Sequence, residues 1–186
     1  MKWLLQVIKS CKSIEVYKNQ PEVGKYICYD EVVQCFRFED TLPRIEWQIK
    51  DESKNILGYA CQKAVGKLYN REWTVWFTMD IPVSEGPWLL AGLPGLILEA
   101  SDSTGHHHFT VNGIQSVNMN IPPVYEPYSY EKTTRKKFLE LCRFRYDNIQ
   151  GMSDLHFGGN GPRLTPEKIA YERGKEGYDL LETDYR

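Results

Sequence analysis

The sequence predicts a mainly β, α+β fold: a curved antiparallel sheet, one amphipathic helix packed against it and a helical C-terminal tail. Three observations carry this expectation. Runs of β-branched and aromatic residues recur between residues 25 and 117, each close to the usual strand length of about five or six residues. Helical spacing of apolar residues comes late, after residue 133. The alternation of strands and helices that marks a parallel sheet is missing. The expected organisation is one β-rich domain over residues 1–164 and a helical tail over 165–186.

Taken in order, Lys25 to Phe38 reads as one or two strands, bounded by Gly24 and by Glu39-Asp40. From Arg44 to Lys50, Ile45, Trp47 and Ile49 alternate with Glu46, Gln48 and Lys50, the period of a strand with one wet face. Asp51 to Gly58 is a polar connection. Tyr59 to Tyr69 and Glu72 to Met79 are strands joined around Asn70-Arg71. In the second, Trp73, Val75 and Phe77 share a face, and Trp76 on the opposite face needs a cover such as a loop. Pro82, Gly86, Pro87, Gly92, Pro94 and Gly95 then mark an ordered crossing loop.

Gly95 to Ser101 and His106 to Val117 are expected to pair around Asp102-Ser103-Thr104-Gly105. That register sets Ser101 opposite His106, Ala100 opposite His107, Glu99 opposite His108 and Leu98 opposite Phe109. Residues 118–130, with three prolines, form an extended linker. Thr133 or Thr134 caps a helix from Arg135 to about Tyr146, with Phe138, Leu139, Leu141, Cys142 and Tyr146 on its apolar arc. Gly151 to Arg163 is glycine-rich and expected to be mobile, and Thr165-Pro166-Glu167 starts the last helix.

Length and composition narrow the partners. At 186 residues and 41% hydrophobic content the chain can bury a real core. A net charge of −2 gives no global attraction to nucleic acid or an anionic membrane. No apolar run is long enough to span a bilayer. The opening MKWLLQVIKSCKS has too short an apolar patch for a signal peptide and reads as an imposed start or as the first strand of a mature chain. Five cysteines without a CxxC argue against a zinc ribbon and a complete disulfide framework, and most read as small buried apolar residues.

Several ordered blocks carry a family resemblance. They are Pro43-Arg44-Ile45-Glu46-Trp47, Tyr59-Ala60-Cys61-Gln62-Lys63-Ala64, Trp76-Phe77-Thr78, Ile81-Pro82-Val83-Ser84 and Gly86-Pro87-Trp88. The hexapeptide Gly92-Leu93-Pro94-Gly95-Leu96-Ile97 follows, and Thr134-Arg135-Lys136-Lys137-Phe138 opens the helix. Together they resemble the GLPGLI family, strongly over residues 40–115. The resemblance implies an exported protein of the cell envelope, periplasmic or associated with the outer membrane, with a TonB-dependent receptor or a peptide as partner. It supplies no catalytic residues.

The residues themselves offer two candidate sites. His106 and His108 stand at i and i+2 on one strand face, with Glu99 across from them. Two imidazoles and a carboxylate suit Zn²⁺ or Cu²⁺, one ligand short of a closed site. The second candidate is a ligand-contacting loop at Trp88, Leu93 and Pro94, although the backbone roles of Pro94 and Gly95 favour reading the same segment as a structural latch. Trp47, Trp73, Trp76 and Trp88 read as core, with groove lining the alternative. The function expected is a non-catalytic envelope protein binding a peptide or metal ion in support of TonB-dependent uptake. The alternatives are a metal-dependent hydrolase built on Glu99, His106 and His108, and a periplasmic carrier of lipid or polypeptide.

Overall fold

The computed structural model describes residues 14–31, 35–115 and 130–170. These fall into two compact units, one holding residues 41–115 and the other residues 14–40 and 130–170. The strands are β1 (Glu15–Lys18), β2 (Lys25–Glu31), β3 (Cys35–Thr41), β4 (Gln48–Ile56), β5 (Tyr59–Leu68), β6 (Arg71–Thr78), β7 (Leu96–Asp102), β8 (His108–Thr110) and β9 (Glu131–Lys132). Two helices follow, α1 (Arg135–Asp147) and α2 (Ile149–His156). The fold is mainly β with few helices, as its sequence predicts, and the strands are shared between two sheets.

The four-stranded sheet runs β1-β2-β3-β9, antiparallel at β1–β2 and parallel at β3–β9. Phe36 and Phe38, two apart on β3, present one face to α1, where Phe138 lies 5.9 and 5.3 Å from their ring centroids. Thr134 caps that helix, its side chain accepting from the Lys137 amide at 3.3 Å. Phe138 and Leu139 are buried, whereas Phe144 is 46% exposed, so the apolar arc of α1 is narrower than its composition suggests.

One expectation after α1 changes, and the expected start of the last helix holds. The glycine-rich stretch from Gly151 contains α2, made possible by Asn148, which ends α1 and starts α2. Its amide donates to Phe144 at 2.9 Å while its side-chain oxygen accepts from the Gly151 amide at 2.9 Å. A further helical stretch begins at residue 166 on the Thr165 cap, whose hydroxyl accepts from the Lys168 amide at 3.2 Å. The rest of the expected tail, the N-terminal segment 1–13 and most of the 118–130 linker lie outside the described residues.

The five-stranded sheet runs β4-β5-β6-β7-β8, antiparallel throughout. Its edge strand β4 takes in Gln48 to Lys50, the end of the expected strand, and continues through residues expected to be a polar connection, while the alternating stretch before Gln48 is not strand. Ile49 is 49% exposed. An edge strand needs a ladder on one side only, so a run such as DESKN can serve, and its charge discourages pairing with other chains. Ile56 pairs with Tyr59 around Leu57 and Gly58, whose φ values of 52° and 87° belong to a two-residue primed turn. Tyr69 and Asn70 join β5 to β6 in the same two-residue manner, Leu68 pairing with Arg71.

One side of this sheet is the core of its unit. Ala64, Val75, Ala100 and Phe109 form a row across β5 to β8, none more than 8% exposed. Gly66, Trp73 and Asp102 form the next row. Trp47 lies against Gly66, where a Cβ would sit 2.6 Å from its Cε3, and donates from Nε1 to the Ala91 carbonyl at 2.9 Å. That single indole ties the crossing loop to β5. The loop is further held by Leu96 donating to Ile81 at 3.1 Å and Ile97 to Glu85 at 2.9 Å. Gly95 is needed because a side chain there would run into the Thr78 carbonyl. No helix among the described residues is long and apolar enough to cross a membrane.

Candidate functional site

The other side of the five-stranded sheet carries the chemistry. Its first row is Lys63, Trp76, Glu99 and Thr110, paired strand to strand across β5, β6, β7 and β8. The second row is Val65, Thr74, Ser101 and His108. A solvated sheet face is ordinarily built from such Thr, Ser, Lys and Glu residues; Val65 and Trp76 depart from that, and Trp76 is the one aromatic ring in the two rows.

Trp76 is half-buried because a small second core reaches up beneath it. Cys61, Ile81, Leu96 and Leu98 form that core, and Trp76, Ile56, Tyr59, Val83, Val111 and Ile114 pack on it. Ile81 and Val83 belong to the crossing loop, so a loop does supply part of the cover that an outward-facing Trp76 requires. The Cys61 thiol donates to the Tyr59 carbonyl at 3.5 Å, and burial raises its pKa, so this sulfur is no nucleophile.

Over the indole lies Lys54 from the edge strand. Its Nζ is 4.4 Å from the Trp76 ring centroid and 2.7 Å from Glu99 Oε1. His108 Nε2 stands 3.8 Å from the same oxygen and 3.5 Å from Thr110 Oγ1. Alongside, Lys63 holds Glu52 through both carboxylate oxygens, at 3.0 and 2.9 Å. A fixed aromatic ring is therefore ringed by ammonium, carboxylate, imidazole and hydroxyl groups.

The expected metal set is not assembled. The register of β7 and β8 differs by two residues from the expected one: Ser101 pairs with His108, and Glu99 with Thr110. The cause is Asp102, whose carboxylate accepts from the His107 amide at 2.8 Å and from the Thr104 hydroxyl, keeping residues 103–106 in the loop. His106 turns to Thr104, Nδ1 to Oγ1 at 2.9 Å, while His108 stays near Glu99. Among the described residues no three His, Cys, Asp or Glu side chains are placed to hold a metal ion.

Trp88, Leu93 and Pro94 do not make a common contact face. Leu93 is 2% exposed, within the core, while Pro94 is exposed and Trp88 half-buried. Trp88 holds a φ of 49°, unusual for a bulky residue, and its ring lies 6.1 Å from both Tyr69 and Trp73.

A second polar cluster was not visible in the sequence. Arg71 and Asp102 are 4% and 6% exposed and meet at 2.5 Å, Arg71 also donating to Thr104 at 3.1 Å. Burial opposes the Asp102 charge, but Thr104, the His107 amide and Arg71 outweigh it and lower the pKa to about 2. A carboxylate so fully engaged is a poor base, and its chemistry is that of a staple. His107, buried at 5%, lies beside Trp73 at 6.4 Å between ring centroids.

Comparison with known proteins bears on the whole described sheet. The family described as "N-glycanase peptide, N-terminal domain" matches residues 15–127, more than half of the 186. Two solved structures of PNGF-II, in space groups C2 and P21, are similar at 19% and 18% identity, each with a TM-score of 0.48. Each match covers 63% of this chain and 22% of the solved one, so the chain spans about a fifth of their length. No curated protein matches. The family match corrects the resemblance to the GLPGLI family. It sets aside the functions expected above as well: the accessory role in TonB-dependent uptake, the metal-dependent hydrolase and the carrier.

Proposed function

The chain belongs to the family of N-glycanase N-terminal domains, and from that membership we propose that it works on N-linked glycoproteins as one domain of a glycan-cleaving protein. The observation that carries this reading is the span of the match, residues 15–127, which takes in all five strands from β4 to β8. The sheet face around Trp76 fits the same purpose. It combines a half-buried aromatic ring with charged and hydroxyl groups at its rim, the mixture that polar ligands with one flat apolar side require.

The test sets the chain against one glycoprotein in two forms, with its N-linked glycan and without it. Retention of the glycosylated form alone, or loss of glycan mass from it in mass spectrometry, is the expected result. Equal retention of the two forms with no mass lost would overturn the reading.

A further inference from the structure

We propose that the sheet face around Trp76 is a carbohydrate-binding site that seats a pyranose ring of an N-linked glycan on the indole. The choice of glycan rests on the functional reading above. The geometry of the face argues for a sugar by itself.

A pyranose has two kinds of surface. Its C–H face is flat and weakly electropositive, and its equator carries hydroxyl groups. The first needs the negative face of an aromatic ring, and the second needs donors and acceptors beside that ring. Trp76 provides the ring, fixed from beneath by the Cys61, Ile81, Leu96 and Leu98 cluster, so little rotamer freedom is lost on binding. Its outer face already takes an electropositive group, the Lys54 ammonium at 4.4 Å. A sugar replaces that contact, and Lys54 keeps its place beside the ring through Glu99 at 2.7 Å. Glu99 then accepts from a hydroxyl, and Lys54, which donates to it now, donates to a second one.

Other ligand classes fit less well. A phosphate or nucleic acid needs surplus positive charge, yet Lys54 is matched by Glu99 and Lys63 by Glu52. An apolar peptide needs an apolar groove, and here the indole and Val65 share their two rows with Lys63, Glu99, Thr110, Thr74, Ser101 and His108, the other apolar side chains near Trp76 being packed on the small core. A neutral polyhydroxylated ring with one flat side is what remains.

The experiment titrates the full chain with N,N′-diacetylchitobiose and reads the indole N–H signals of its five tryptophans by NMR. Trp76→Phe identifies the Trp76 signal by removing it. A saturable shift of that signal is expected, lost in Trp76→Ala. Glu99→Gln, which keeps the size of the side chain and removes its charge, should weaken binding about tenfold, the loss of one charge-assisted hydrogen bond. No saturable shift at Trp76, an unaltered affinity in Glu99→Gln, or an equal response to cellobiose would overturn the site or its assignment to N-linked glycan. Discrimination between the two glycoprotein forms without a Trp76 shift would overturn this face alone. A Trp76 shift without that discrimination would overturn the functional reading instead.

Discussion

Arg71 at the start of β6 and Asp102 at the end of β7 form an ion pair with side chains 3% and 0% exposed, their atoms 2.5 Å apart. Two charges taken out of water are costly, and such a pair is tolerated only when the remaining polar atoms are also bonded. Asp102 meets that condition through Thr104 and the His107 amide. The pair fixes the loop between β7 and β8, and with it the register that sets His108, not His106, beside Glu99.

Replacing Asp102 with Asn should therefore destabilise the protein by about 3 kcal/mol, since Arg71 is left charged and buried without its carboxylate. The pH dependence has a definite sign. The folded pKa of about 2 lies below the ordinary 3.8, so the stabilisation is complete above 3.8 and is lost as pH falls through about 2. Chemical denaturation of both proteins at several pH values checks this. The gap between them should be widest near neutrality and should close in acid; a gap constant with pH would sink the assignment.

Gly66 and Trp47 make the second prediction. A methyl group at Gly66 would lie 2.6 Å from Trp47 Cε3 and 2.8 Å from Ile45 Cγ2, well inside contact distance. Gly66→Ala should cost about 2 kcal/mol through overpacking. In a Trp47→Leu background the same change should cost clearly less, because the ring it strikes is gone. A double-mutant cycle that returned no coupling would show that the crossing loop is not held through this indole.

What the sequence could reveal followed from local pattern. The alternation of Trp73, Val75 and Phe77 fixed both faces of β6, and Thr134 ahead of Arg135 marked the start of α1. Long-range pairing left no such trace. Arg71 and Asp102 are 31 positions apart, and nothing in either neighbourhood announces the other. Lys54 was hidden because DESKN resembles a loop, whereas the β5 ladder makes it a strand and carries that ammonium over Trp76. The hairpin register differs by two residues because a tight turn over Asp102-Ser103-Thr104-Gly105 takes no account of side-chain bonds. The bonds made by the Asp102 side chain decide it instead. Family membership is likewise a property of the long span, residues 15–127, and not of the short blocks that resemble the GLPGLI family.

The β4–β5 turn yields a stabilising change. Leu57 holds a φ of 52° while 50% exposed, a left-handed conformation that leucine adopts at some cost and that its side chain does little to repay. Gly58 follows at 87°, so Leu57→Asn would create the Asn-Gly pair that such turns favour. A gain of about 1 kcal/mol is expected, read as a higher midpoint in urea with an unchanged slope. A lower midpoint would mean that the Leu57 side chain contributes more to the fold than its exposure indicates.

Asn148 supports two helices at once, which makes it the sharpest probe of the segment that the glycines disguise. Its backbone carbonyl accepts from Met152 at 3.0 Å, a bond that any residue can keep, whereas only the side chain reaches the Gly151 amide. Asn148→Ala should therefore cost about 1 kcal/mol, the usual loss of an N-cap, and should act on α2 more than on α1. Amide hydrogen exchange separates the two helices. Gly151 should exchange faster in the variant while Leu141 and Cys142, in the middle of α1, keep their protection. Asn148→Ser, which retains a side-chain acceptor, should restore the Gly151 protection. Equal loss across both helices would instead mean that the pair unfolds as one unit, and that the junction at Asn148 is not where α2 is held.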